Sequence, residues 1–243
     1  MLDLLKDDII RKSIPNDHNR QVTSLYYINY LFNRSKRIQR VIDLGCGTGN
    51  DSIYFINRDP SIIWVGLDIE FSPEVNARVR NDMNFVTFDG VNMPFADNSF
   101  DVIYCNQVLE HVRHPNLLLK EVERVLIPGG YLIGSVSSLE PYHSYSNWNY
   151  TVYGFALLIE EACMEVVELR PGIDAITLIV RRGLGGPRFF SRWWEKESPL
   201  NKIIDLYGKL FRKDHKFINA TKLLFCGHFC FLIKKPLMEP SHG

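Results

Sequence analysis

The sequence lacks a net charge and a long hydrophobic run, and each absence removes a class of function. Its 28 Lys and Arg residues balance its 28 Asp and Glu residues, so the overall charge points to no particular partner. The longest apolar stretch, 223–233, contains His228 and is shorter than the roughly 20 residues of a membrane-spanning helix. The N-terminus carries acidic residues among its apolar positions, which is atypical of a signal peptide. We therefore expect a cytoplasmic protein.

Cysteine is also scarce. The chain has five cysteines, and no two of them have the C-x-x-C spacing of a redox or metal site. Scattered thiols in odd number are typical of a reducing compartment rather than of a disulfide framework. No other cluster of metal-ligating residues is evident from the spacing, so we expect no metal site.

The short apolar runs of the sequence predict one α/β domain. A chain of 243 residues that is 46% hydrophobic can form one large core. Runs rich in β-branched and aromatic residues predict strands buried on both faces, and the helix-like stretches between them are typical of a doubly wound parallel sheet. The strands are expected at 41–44, 62–67, 85–88, 100–105 and 131–136, with later ones at 164–169 and 223–234, and the helices at 50–58, 73–81, 115–126 and 150–163.

A glycine-rich loop follows the first predicted strand. Gly45, Gly47 and Gly49 let the backbone turn sharply and let a ligand approach without a Cβ in the way. The dinucleotide fingerprint G-x-G-x-x-G would need glycine at position 50, where Asn50 stands, so the spacing disfavours a nicotinamide cofactor. A tight strand-to-helix turn without any ligand would contain similar residues.

A carboxylate lies at the end of the second predicted strand, 19 residues past Gly49. From that position Asp68 would accept hydrogen bonds from both hydroxyls of a ribose. The alternative is that Asp68 caps the helix that follows. Together, the loop and the carboxylate favour a ligand that contains a nucleoside.

Six segments occur in order between positions 41 and 136: VIDLGCGTG at 41–49, GLDI at 66–69, DGVNMPF at 89–95, NSFDVI at 98–103, QVLEHV at 107–112 and LIPGG at 126–130. In these segments the chain resembles class I S-adenosylmethionine-dependent methyltransferases, particularly the small-molecule branch that includes quinone-biosynthesis enzymes. The resemblance implies an α/β, Rossmann-like seven-stranded sheet with helices on both faces and a helical insertion before the last strand. It also implies methyl transfer from S-adenosylmethionine.

The resemblance assigns the cofactor contacts residue by residue. They are Asp43 and the glycine loop (Gly45, Gly47, Gly49) for the methionine part, Asp68 for the ribose, Ile69, Asp89 and Gly90 for the adenine, and Asn106 and Gln107 for the reacting methyl. In the absence of a ligand role, Asp89 would simply begin an Asp-Gly turn.

Two histidines are candidate general bases. If the acceptor is a hydroxyl, its proton must leave, and a neutral histidine contributes about 10²–10⁴-fold as the base. His111 follows the fourth strand and should face the cofactor pocket. His143 lies after the fifth strand, in a loop whose aromatic and hydroxyl side chains suit a sugar or a phenol. The alternatives are a helix-packing role for His111 and an exposed position for His143.

The loop around His143 also resembles that of methyltransferases from surface-glycan and glycosylated-metabolite pathways. We therefore expect O-methylation of a sugar hydroxyl on a glycan or glycosylated metabolite. O- or C-methylation of a phenol or quinol is the alternative, and a cofactor-binding subunit without catalysis is a third possibility.

The segment 181–222 is strongly basic. It holds eleven Lys and Arg residues against four Asp and Glu residues, an excess of seven positive charges, with aromatic residues interleaved. An amphipathic helix is predicted over 199–213, with one apolar stripe formed by Ile203, Tyr207, Leu210 and Phe211. The segment would be a lid packed by its aromatic residues, a contact for an anionic acceptor, or a peripheral contact with an anionic membrane. Nucleic acid is disfavoured because no RNA-binding motif accompanies the charge.

These observations together predict a single methyltransferase domain over residues 1–243. Residues 1–40 would form an N-terminal helical cap and residues 41–170 the cofactor-binding core. Residues 171–220 would form the basic, aromatic insertion, and residues 221–235 the last strand. The cap and the insertion would close over the acceptor.

Overall fold

A single seven-stranded sheet organises the chain. The computed structural model describes residues 3–34, 37–79 and 82–237. The strands lie side by side in the order β3-β2-β1-β4-β5-β7-β6. They are β1 (Arg40–Leu44), β2 (Ile63–Ile69), β3 (Phe85–Phe88), β4 (Phe100–Asn106), β5 (Leu126–Ser137), β6 (Glu165–Pro171) and β7 (His228–Lys234).

The direction of the strands defines one functional edge of the sheet. β1 is parallel to β2 and β4, and the pairs β2–β3 and β4–β5 are also parallel. Only β7 runs antiparallel, between β5 and β6. The carboxyl ends of six strands and the amino end of β7 therefore meet at the same edge, where open α/β sheets bind their ligands.

Helices cover both faces of this sheet. They are α1 (Asp8–Ser13), α2 (Leu25–Asn33), α3 (Ile53–Ile56), α4 (Pro73–Asn76), α5 (Pro115–Val125), α6 (Val152–Glu161), α7 (Ala175–Gly183), α8 (Arg192–Glu195), α9 (Pro199–Leu210) and α10 (His215–Leu224). The side chains of β1 alternate as a strand buried on both faces requires. Ile42 and Leu44 join one hydrophobic cluster, and Val41 joins the other. The Rossmann-like sheet with a helical insertion before the last strand, predicted from the sequence, is confirmed.

Element boundaries differ from the sequence expectation in three places. Of the helix expected over 73–81, residues 73–79 contain α4, a single turn that begins with Pro73, and 80–81 lie outside the described residues. The Ser72 hydroxyl caps α4 and accepts from the Val75 N–H at 3.0 Å. The last strand, expected from position 221, begins at His228, because 215–224 continue as α10. Among the described residues of the N-terminal cap, a 3₁₀ turn at Asp3–Leu5, α1 and α2 are helical, and the chain between α1 and α2 is irregular.

Buried charges attach the insertion to the N-terminal segment. The Lys222 side chain is completely buried, and its ammonium group contacts Glu197 at 3.0 Å and Asp205 at 2.8 Å. It also donates to the backbone carbonyl of Asn19 at 2.6 Å. Because a buried ammonium needs partners on every side, this one residue of α10 fixes α9 and the N-terminal segment together.

We predict that Lys222→Ala lowers the free energy of unfolding by about 2–3 kcal/mol, since it leaves two partly buried carboxylates without their cation. Urea denaturation measures the change. Lys209→Ala, which removes an exposed cation of the neighbouring helix α9, should change stability by less than about 0.5 kcal/mol. Equal effects of the two substitutions would show that Lys222 does not hold these segments.

Candidate active site

The glycine loop after β1 is shaped by close packing. Gly45, Gly47 and Gly49 have φ values of +69°, +48° and +77°, a region that other residues rarely adopt. A Cβ at Gly45 would lie 2.4 Å from a methyl carbon of Val108, and one at Gly49 would lie 2.7 Å from the Phe85 ring. The loop therefore requires glycine both for its backbone conformation and for its close contacts with the Val108 and Phe85 side chains.

Asp68, at the end of β2, supports this loop. Its Oδ2 atom accepts a hydrogen bond of 2.7 Å from the Gly47 N–H. The helix that follows is capped by Ser72 instead, so Asp68 is not a helix cap. A carboxylate already turned toward the glycine loop, at a strand end, is well placed for a polar ligand lying between the two.

Asp43, in β1, is buried beneath the loop. Only 3% of the residue is exposed, and its Oδ2 atom has no hydrogen-bond partner among the described residues. Burial raises the pKa of Asp43 well above its ordinary value, and repulsion from Asp51 and Asp68 adds to the effect. The Trp64 indole, also buried, opposes this rise in pKa by hydrogen bonding to the carboxyl group.

Ile69, the last residue of β2, and Gly90, which follows β3, form an open apolar surface. Ile69 is 42% exposed, and its side chain lies 3.7 Å from where a Cβ on Gly90 would stand. Beside them, Asp89 accepts hydrogen bonds from the backbone N–H groups of Val91 and Asn92 and from the Asn92 amide. These bonds lower the pKa of Asp89. The residue therefore begins a turn, with oxygen lone pairs left for a ligand.

Sequence reasoning missed Arg78, which lies across the glycine loop. Its guanidinium stacks 3.8 Å from the centre of the Phe85 ring and donates to the Gly47 carbonyl at 2.7 and 3.0 Å. No motif marks the position, because the contact depends on how the short helix α4 ends. It places a positive charge at the mouth of the site.

The ends of β4 and β5 border a cavity of about 290 Å³. Two candidate residues, Asn106 and Gln107, lie in its wall together with Ser135. The Ser135 hydroxyl donates to Asn106 Oδ1 at 2.7 Å, and the Gln107 amide donates to Ser135 Oγ at 3.0 Å. The other wall residues are Val22, Thr23, Ser24, Gly172, Ile173, Trp194, His228 and Cys230. The N-terminal segment and the insertion thus both reach the cavity.

His228 is the histidine in the cavity wall. Its Nε2 atom forms a hydrogen bond with Glu140 Oε2, and its ring stacks on Trp194 with centroids 5.0 Å apart. Burial alone would raise the pKa of Glu140, but hydrogen bonds from His228, Arg182 and Ser137 lower it to about 2. The dyad is therefore an ionised carboxylate that orients an imidazole. The sequence signal was a polar residue inside an otherwise apolar strand.

Comparison with known proteins identifies the fold carrying this site. A family model described as "Methyltransferase domain" matches residues 42–134. The demethylmenaquinone methyltransferase of Renibacterium salmoninarum is 38% identical over 96 residues, 39% of this chain and 40% of that protein. The fatty-acid O-methyltransferase of Mycolicibacterium smegmatis is 27% identical over 174 residues, 69% of this chain and 62% of that protein. Residues 42–134 are thus similar to a methyltransferase domain, and the chain covers less than two thirds of the length of these two relatives.

Solved structures agree on the architecture. The [4+2]-cyclase SpnF superposes with a TM-score of 0.56 at 16% identity, covering 98% of this chain and 95% of that one. The 1,6-didemethyltoxoflavin-N1-methyltransferase of Burkholderia thailandensis gives 0.53 at 16% identity, covering 88% and 78%. These likenesses show the fold alone, and since one protein is named a cyclase, the fold does not specify the reaction.

The fold brings His111 and His143 into contact, outside the set of residues that line the cavity. Their rings pack edge to face with centroids 5.3 Å apart, and burial lowers the pKa of His111, with His143 adding to the effect. Neither lies among the residues that line the cavity. In the loop around His143, Tyr142 and Tyr145 are 72% and 80% exposed, so their rings point to solvent and not into a closed acceptor pocket.

Proposed function

We propose that the chain is an S-adenosylmethionine-dependent methyltransferase that acts on a ring-bearing small molecule with a hydroxyl group. One observation carries the proposal: the glycine loop adjoins the cavity, because Gly45 packs against Val108, which directly follows the cavity residues Asn106 and Gln107. A cofactor held by the first would present its reactive end to an acceptor in the second. Alignment of this kind is the main contribution an enzyme makes to methyl transfer from a good leaving group.

The glycine loop and the polar and apolar residues beside it fit the cofactor. Bound S-adenosylmethionine supplies an electrophilic methyl on a sulfonium. Asp43 and the glycine loop would hold its methionine part, Asp68 its ribose hydroxyls, and the exposed surface of Ile69 and Gly90, beside Asp89, its adenine. The buried carboxyl group of Asp43 and the three glycines of the loop, at positive φ and without a Cβ, support this fit.

The cavity suits one ring with a polar substituent. Amide and hydroxyl groups of Asn106, Gln107 and Ser135 form one part of its wall, and the indole of Trp194 forms another. The relatives described above are named for demethylmenaquinone and fatty-acid methylation, so a phenol or quinol with an apolar tail is our first candidate. The polar part of the wall supports a sugar hydroxyl as the second.

His228 is our candidate for the general base. Glu140 holds its Nε2 atom, which leaves the other ring nitrogen to take the acceptor proton as the oxygen attacks. The ionised carboxylate then stabilises the imidazolium that forms. His111 and His143, the candidates from the sequence, lie outside the cavity wall and serve as comparisons.

The first functional prediction concerns cofactor binding. Asp68→Ala should weaken S-adenosylmethionine by about 1.5–3 kcal/mol, because charge-assisted hydrogen bonds to the ribose are lost. Titration calorimetry measures the change. Asp68→Asn keeps an acceptor for the Gly47 N–H and should lose less, and Asp59→Ala, which removes a carboxylate from the turn between α3 and β2, should lose nothing. Unchanged affinity in Asp68→Ala would contradict the ribose assignment.

The second functional prediction concerns the base. His228→Gln should lower kcat by about 10²-fold or more and leave cofactor affinity nearly unchanged. The assay measures S-adenosylhomocysteine release with 1,4-naphthoquinol or a methyl glycoside as acceptor. The part of the pH dependence of kcat that comes from the base should disappear in this variant.

His111→Gln and His143→Gln are the matched comparisons for this assay. If one of them loses the pH-dependent limb while His228→Gln keeps it, the base is the sequence candidate and not His228. If cofactor binds but neither acceptor nor any other hydroxyl compound yields S-adenosylhomocysteine, the chain is a binding subunit without catalysis.

The basic insertion has an exposed apolar surface, which supports peripheral attachment to an anionic membrane. The stripe predicted along α9 faces solvent, because the helix packs on α10 through its other side, with Gly208 against Ile218. The neighbouring helix α7 also exposes apolar residues. The exposed apolar residues of the two helices are Ile176, Ile179, Val180, Ile203, Leu206, Tyr207 and Leu210.

Charge favours an anionic bilayer as the occupant of this surface. Lys202, Lys209, Arg212 and Lys213 flank the apolar side of α9 and are all exposed. An interfacial helix binds through apolar burial together with attraction of Lys and Arg to anionic lipid. Among the described residues, no helix has the length and apolar character needed to cross a bilayer.

The third functional prediction concerns this surface. The protein should sediment with vesicles of phosphatidylcholine and phosphatidylglycerol, and less with phosphatidylcholine alone. Leu206→Ser/Leu210→Ser should lower the partition coefficient by about 10-fold or more, because two buried leucines are lost from the bilayer contact. Leu117→Ser/Ile63→Ser, which removes two exposed apolar residues elsewhere, is the control. Equal sedimentation of all three proteins would contradict membrane attachment through α9.

A further inference from the structure

Three side chains with metal-ligating atoms converge beside the cavity. Glu110 and His111 belong to a 3₁₀ turn, Leu109–His111, that follows β4, and His143 belongs to the loop after β5. One ligand atom from each lies within 4.8 Å of the other two. The cluster adjoins the His228–Glu140 dyad, because His143 Nδ1 lies 3.7 Å from Glu140 Oε1.

Backbone hydrogen bonds hold the two chain segments together. The N–H groups of Asn147 and Trp148 donate to the Glu110 carbonyl at 2.7 and 3.1 Å. The Asn147 amide donates to the His111 carbonyl at 2.7 Å, and the Tyr150 hydroxyl donates to the Leu109 carbonyl at 2.9 Å. These bonds bring the two segments together, and the edge-to-face packing of the His111 and His143 rings brings two of the three side chains together.

Two atoms of the cluster are buried and lack partners. Glu110 is completely buried, and its Oε2 atom has no hydrogen bond, while its Oε1 atom accepts from Ser137 at 3.0 Å. The Nδ1 atom of His111 is likewise buried without a partner. Leaving such groups unsatisfied is unfavourable, and native structures rarely do so. A cation between them would satisfy both atoms at once.

We propose that Glu110, His111 and His143 bind a divalent transition-metal ion of the Zn²⁺ class. Two imidazole nitrogens and one carboxylate oxygen form the donor set of open zinc and non-haem iron sites, whereas Mg²⁺ and Ca²⁺ prefer oxygen ligands alone. Ligands on a tetrahedral zinc ion lie about 3.4 Å apart, so the cluster must contract by about an ångström. His143 is the residue that moves, because it lies in a loop.

The ion would act on the acceptor cavity through one hydroxyl. Ser137 contacts Glu110, lies 2.8 Å from Glu140 Oε2 and lies 3.3 Å from Oε1 of the cavity residue Gln107. Binding would also tie the loop that carries His143 to the turn after β4. Neither the contact through Ser137 nor the attachment of the loop depends on the methyl-transfer proposal, so the site can be tested without any turnover assay.

The test is a titration of tag-free, chelator-treated protein with Co²⁺ and Zn²⁺. We expect one Co²⁺ per chain, with the visible absorption of a four- or five-coordinate ion, and displacement of Co²⁺ by one Zn²⁺. His143→Ala should weaken Zn²⁺ binding by about 10-fold or more. Zn²⁺ should also raise the Tm of the parent protein and not that of His143→Ala.

Two control variants separate this site from other metal ligands. His114→Ala removes an exposed histidine three residues from His111, and Cys163→Ser removes the exposed thiol. Both should bind Zn²⁺ as the parent does. If the parent binds no ion, if His143→Ala binds as tightly as the parent, or if either control loses binding, the proposal is wrong. Glu110→Gln, whose buried position can affect folding, is judged by circular dichroism before its binding is compared.

Discussion

The pairing register of β1 with β2 and β4 is the constraint on which the site depends. In this register Leu44 stands opposite Leu67 on one side and Cys105 on the other. The loops that follow these three strands therefore leave the sheet at one height. The glycine loop can then accept support from Asp68 and pack against Val108, which follows the last residues of β4. A slip of the register would move every one of these contacts.

The antiparallel direction of β7 completes the arrangement. Because this strand runs against its neighbours, its amino end lies at the edge where the others finish, and His228 pairs with Ser137 of β5. Glu140 follows Ser137 by three residues and reaches the imidazole from there. The insertion, attached through Lys222 to the N-terminal segment, brings Trp194 onto the same ring. Cofactor binding by the glycine loop alone would need neither the direction of β7 nor the position of the insertion. The proposed acceptor cavity needs both, because its wall includes His228 and Trp194.

Sequence predicted the parts of the molecule whose signals are local. The apolar runs that form strands, the glycine loop and the carboxylate at the end of β2 each follow from a few neighbouring residues. The structure has them at the expected places. The α9 stripe was located correctly, but periodicity does not tell whether an apolar stripe faces a core or solvent. The direction depends on Gly208, which lets the opposite side of α9 approach α10.

The features that sequence reasoning missed depend on distant residues. His228 gains its role from Glu140, 88 positions earlier, and Arg78 from a loop 31 positions earlier. The cluster of Glu110, His111 and His143 has no signal in the spacing, because His143 is far along the chain from the adjacent pair, and hydrogen bonds of Asn147 and Trp148 bring the two segments together. Local patterns contain no information about such pairings, which only the folded sheet creates.

The central claim is that the glycine loop, which would hold the cofactor, and the cavity, which would hold the acceptor, form one active site around Asn106 and Gln107. A crystal structure with S-adenosylhomocysteine tests it most directly. The account predicts adenosine between Asp68 and the surface of Ile69 and Gly90, with the sulfur directed past Gln107 into the cavity that His228 borders. Density for the ligand in another place, or a sulfur that points away from this cavity, would contradict it.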